Sequence, residues 1–307
     1  MKIAYRIVGV FVLVFLLQPS VLAQHNPFNP RPNEWRDAWL KPAMYAGTGC
    51  ITAHIKKQGW RECGKKAWKL AFTGFLDHLA MREEAYGRHA SAKPLFDVAT
   101  SWAANVLQDR PMFCRYRSRY LWARFSYDVC EKKFDAKVLL APTIRSIILA
   151  SDSKTDFDAA ESFKTGIPHF RGQGLLARGV NGFALYGIAV VDKDLHPVVA
   201  PGTKSHERIH GMQYDRWSLF SDQIEGMTHE ALEKTFRRDF RKIPLSFGQD
   251  ILFFATAYWG DSKTNIYDRE VWPFEEIIRA NELRRLQKEW LRIGPNIPTT
   301  FQSPGSR

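Results

Sequence analysis

The chain has no apolar run of the 18 or so residues that a transmembrane helix needs; its run at 7–17 is too short to span a bilayer comfortably. Acidic residues are in deficit, with 32 Asp and Glu against 44 Lys and Arg for a formal charge of +12. There is no C-x2-C pair among the four cysteines, so a structural zinc site built from all four is not expected. Internal repeats are absent. No nucleic-acid-binding module organises the basic residues, which are spread over several segments, so nucleic acid is not the expected partner and the charge favours contact with an anionic envelope surface. What is present at the start is a leader: Lys2 and Arg6 precede the apolar run, and Val21-Leu22-Ala23 supplies small residues at cleavage spacing. A signal peptide over 1–23 is expected, with the mature chain periplasmic or secreted and carrying +10 after loss of Lys2 and Arg6. An even number of cysteines in an exported chain implies disulfides. Of the three pairings, Cys50 with Cys63 and Cys114 with Cys130 each close a short local loop.

Residues 24–150 read as a helical region. Ala67, Leu70, Ala71, Phe75, Leu76 and Leu79 recur at three-to-four spacing, and Phe113, Tyr116, Tyr120, Leu121 and Phe125 repeat the rhythm after Pro111. Residues at that spacing are expected in the core. The composition turns polar around 151–170, where a boundary is placed. Beyond it, 183–191 is the clearest strand candidate, and Thr203 is the expected N-cap of a helix over 204–219. Further helices are expected near 228–240, 247–258 and 272–291, the last with Pro273 in its first turn, and 294–307 reads as a frayed tail. The expected fold class is α+β, mostly helical, with a small sheet in the carboxy-terminal region 151–293.

The helix over 204–219 carries His206-Glu207-Arg208-Ile209-His210. Residues four apart lie one turn apart on one helical face, so His206 and His210 can grip one ion. Zinc is the expected cofactor, because neutral imidazole suits it and its charge lowers the pKa of bound water. Glu207, beside the first histidine, is the candidate general base.

A strand, then an HExxH helix, then a carboxylate-bearing helix is an order that resembles the zincin metallopeptidases over residues 170–291. The resemblance implies that the HExxH helix lies under an edge strand that aligns the substrate, and that a later helix donates a glutamate as third ligand. "YDREVWPFEEIIRAN" offers Glu275, Glu276, Glu270 and Asp268. Glu275 is preferred because its "PFE" setting resembles the Pro-x-Glu that opens the ligand helix in HExxH-x-x-Q members, with Gln213 as that glutamine. The interval from His210 to Glu275 is longer than in the thermolysin-like pattern. Tyr258, Tyr267 and His169 are open candidates for stabilising an oxyanion. The expected activity is zinc-dependent hydrolysis of a peptide or protein substrate; the alternative is a non-catalytic envelope or secreted protein that uses the same scaffold with a structural metal.

Overall fold

The computed structural model describes residues 34–176, 181–216, 219, 245–246 and 266–293. The leader, the tail, the helices expected near 228–240 and 247–258, and Tyr258 lie outside the described residues. The architecture is α+β, mostly helical with two small sheets.

Helices α1 (Glu34–Ile55), α2 (Gly59–Ala85) and α3 (His89–Leu107) pack together, with Cys50–Cys63 joining α1 to α2. The buried side of α2 is Leu70, Thr73, Gly74, Asp77, His78 and Met81, while Trp68, Phe72 and Phe75 are exposed. This corrects the expected core position of Phe75. The interior side of α2 is polar because it meets polar partners: Asp77 accepts from Tyr45 (2.9 Å) and from Arg216 (3.1 Å).

Residues 115–139 overturn the helical expectation. They form a meander of β1 (Arg115–Tyr120), β2 (Ala123–Asp128) and β3 (Lys133–Leu139), extended by a parallel β8 (Leu245–Ser246). Cys114–Cys130 clasps the β1–β2 hairpin, as the local pairing predicted. The decisive period is two, since Arg117 and Arg119 alternate with Tyr116, Ser118 and Tyr120. Helix α3 lies along the open edge of β1, where Ser101 Oγ accepts from Arg117 N–H (2.7 Å) and Asn105 Nδ2 donates to the Arg115 carbonyl (2.8 Å). These bonds satisfy backbone groups that would otherwise invite another chain. Leu121 is buried as expected, but Phe113, Tyr116, Tyr120 and Phe125 are exposed.

After α4 (Leu140–Ser151) comes a mixed sheet in the order β4 (Thr155–Phe157), β5 (His169–Gly172), β7 (Ile188–Asp192), β6 (Gly182–Leu185). Strands β5 and β7 are parallel and the flanking strands antiparallel to them; α5 (Ala159–Thr165) joins β4 to β5. The single strand expected at 183–191 is therefore a hairpin. Tyr186 (φ 51°) and Gly187 (φ 70°) form its two-residue turn, and both take the positive φ that matches strand twist. A Cβ on Gly187 would also run into Arg119 and into the ring of Tyr214 (2.6 Å).

Helix α6 (Ala200–Arg216) starts before the expected N-cap, with Pro201 in its first turn and Thr203 already bonded to Val199. Helix α7 (Ile266–Ile293) likewise starts early, which leaves Pro273 inside it. Residues on both sides of position 150 share one cluster: Met81 and Ala85 from α2, Ile209 from α6, and Phe274, Ile277 and Ile278 from α7.

Candidate metal centre

Helix α6 is polar in sequence yet interior in position. Ser205, Glu207, Arg208, Ile209 and every residue from Gly211 to Asp215 are buried, whereas His206 and His210 are only partly covered. Three of its charged side chains, Arg208, Asp215 and Arg216, are held by opposite charges. Arg208 donates to Glu84 (2.5 Å), to Glu161 (2.9 Å), to the His89 ring (2.7 Å) and to Ser205 (3.2 Å). Burial raises the Glu84 carboxyl, but Arg208 and the hydrogen bond to His89 outweigh that and hold it below the ordinary range. Asp215 pairs with Arg119 at 2.8 Å, and Arg216 with Asp77 at 3.0 Å. Breaking such buried pairs strands a charge, so they fix how α6 is rotated about its axis.

That rotation turns the histidines together. Their Nε2 atoms are 3.1 Å apart and their rings 4.8 Å apart at 73°. Two nitrogens at zinc–nitrogen distance in a tetrahedron are separated by about 3.3 Å, so the pair has the span zinc requires. His210 Nδ1 lies 2.7 Å from Gln213 Oε1. An Nδ1–H donated there leaves the lone pair on Nε2, the orientation that outer-shell partners impose on ligating histidines. Two nitrogen donors are thus brought together, within hydrogen-bond distance of each other, and among the described residues no third His, Cys, Asp or Glu donor joins them. Glu207, next along the helix, is buried beneath β6: a Cβ on Gly182 would lie 3.2 Å from Glu207 Oε1 and 2.8 Å from the Val190 carbonyl. Only glycine permits this approach of strand and carboxylate. Among the described strands β6 ends its sheet.

Glu275, Glu276, Glu270, Asp268 and Tyr267 all belong to α7, whose backbone is described there; their side chains lie outside the described set. The helix itself packs on α6 through Phe274, Ile277 and Ile278 around Ile209. His169 is placed in β5, 1% exposed, with neither ring nitrogen hydrogen-bonded among the described residues. Burial, followed by the charges of Arg208 and Lys204, pushes its pKa well below 6.5, which keeps it neutral.

Among the described residues, Cys114, Asp128 and Cys130 also bring three potential metal donors together. The two sulfurs are joined in a disulfide and Asp128 is paired with Arg110 (2.7 Å), so the group has no thiolate to offer. The residues that sequence reasoning missed are Gly182 and the counter-charges Glu84 and Arg119. Gly182 did bound the expected strand; Glu84 and Arg119 lie about a hundred residues from their partners and give no local signal.

No family model, curated protein or solved structure matches the chain.

Proposed function

We propose that the chain is an exported zinc-dependent metallopeptidase of the zincin kind, acting on a peptide or protein substrate. The observation that carries this reading is the placement of one carboxylate: Glu207 stands between two histidines of zinc-binding span and lies against β6, the last of the described strands in its sheet, at Gly182. His206 and His210 would hold the ion, with Glu275 the preferred third ligand. Zinc, when bound, supplies a positive charge that acidifies water and polarises a carbonyl. An extended peptide can add to β6 through main-chain hydrogen bonds, which brings its backbone to the strand that covers Glu207. The Glu207 carboxylate takes a proton from the attacking water and returns it to the leaving amine. Gln213 holds the tautomer of His210, and the Arg208 network holds the helix.

Glu207→Gln tests the role, since an amide cannot accept the proton. The variant is expected to keep the fold and the zinc while hydrolysis falls by about 100-fold to 10,000-fold, the range for loss of a general base. The readout is new peptide termini, found by mass spectrometry after incubation with denatured protein and with envelope extract. Equal termini from wild type and variant would remove Glu207 from catalysis. No termini from either, at full zinc occupancy, would favour the structural-metal alternative.

A further inference from the structure

The β1–β2–β3 meander is polar inside and apolar outside. In the register of its three strands, Tyr116, Tyr127 and Phe134 lie side by side in one cross-strand row, and Phe125 stacks on Phe134 at 6.2 Å between ring centres. None of the residues sharing this face is charged. The opposite face, in the same block, is charged at every position except Ser126. The charged face looks inward, where Arg119 meets Asp215 and Arg115 meets Asp135. The apolar face is open: Tyr116, Phe125, Tyr127 and Phe134 are 37–62% exposed. Helix α4, which leaves β3 without a loop, itself carries exposed Ile144, Ile147 and Ile148 at helical spacing. An open apolar face of this extent marks a surface that something covers.

We infer that this face docks on the surface of an anionic lipid bilayer. At the tip between β2 and β3, Lys132 is exposed in the turn and Lys133 is exposed at the end of the charged face, next in sequence to Phe134; neither forms an ion pair among the described residues. Cations rimming an uncharged aromatic platform match the layering of such a bilayer, with phosphates above and acyl chains below; tyrosine suits the boundary because its ring is apolar and its hydroxyl polar. The chain's formal charge of +12 draws it toward the same surface. No described helix is long and apolar enough to cross a membrane, so the contact lies on the bilayer without spanning it. The platform is set by strand register and clasped by Cys114–Cys130, which leaves little to order on binding. This inference is independent of the peptidase reading.

The mature chain is mixed with vesicles of phosphatidylcholine alone or with about one third phosphatidylglycerol, and bound protein is measured by flotation. Binding to the anionic vesicles is expected. Phe125→Ser/Phe134→Ser and Lys132→Asn/Lys133→Glu should each weaken it at least tenfold with unchanged melting, Asn being chosen because Lys132 has φ 51°. Lys132 sits in the exposed turn and Lys133 is the exposed first residue of β3, so this pair keeps the test valid should the phenylalanine pair perturb the sheet. Wild type that fails to float with anionic vesicles, or variants that float as well as wild type, would overturn the inference. A dimer seen by light scattering that dissociates in Phe125→Ser/Phe134→Ser, with no vesicle binding, would assign the face to a second copy instead.

Discussion

Arg208 stands between the two histidines of HExxH, yet its guanidinium is directed into Glu84, Glu161 and His89, away from the histidine pair. At this scale the sequence was most legible where the spacing is local. His206, Glu207, His210 and Gln213 share one helix, so four-residue arithmetic predicts which can meet. Glu84 meets Arg208 across 124 positions, and no periodicity announces that. His169 carries the pH prediction. Its folded pKa lies well below 6.5, near Arg208, Lys204, Asp158 and His89. The unfolded chain therefore binds a proton that the folded chain refuses, and stability falls as pH drops below about 6.5, by at most about 1.4 kcal/mol per pH unit for one proton. Glu84 acts lower: its depressed folded pKa supplies stability above 4.5 that is lost on further acidification. Urea midpoints at pH 7.5 and 5.5 are expected to drop for wild type and to drop less for His169→Gln. Equal drops would move the titration elsewhere.

Among the elements, α6 and α7 were legible and their starts were not, since Pro201 and Pro273 gave conflicting cues: the first opens a helix, the second sits inside one. The meander was misread for a physical reason. Hydrophobic periodicity identifies a strand when its apolar side faces the core, whereas β1 turns Arg117 and Arg119 inward toward charges supplied by remote helices. The hairpin β6–β7 was read as one strand because Tyr186 sits at a turn position that usually favours Asn or Gly. The disulfides came out correctly because loop closure is a property of sequence distance. Cys114–Cys130, with a separation of 16, constrains the unfolded chain by about 3 kcal/mol. Cys114→Ser/Cys130→Ser is expected to lower the unfolding free energy by about that much in chemical denaturation. An unchanged value would mean that the α3 edge bonds and the sheet register already hold the hairpin.

For the whole molecule, the buried charge pairs and the histidine pair belong to one arrangement. Helix α6 passes among α2, α7 and the β6–β7 hairpin, its Arg208 and Asp215 are held by opposite charges, and His206 and His210 are left only partly covered. The two disulfides fit an oxidising compartment. The central claim is that His206 and His210 hold zinc, and the most direct measurement is the metal content of the mature protein by elemental analysis, in wild type and in His210→Ala. The account predicts close to one zinc per chain in wild type and loss of most of it in the variant; no zinc in wild type after equilibration with the metal, or the same zinc content in both, would contradict it.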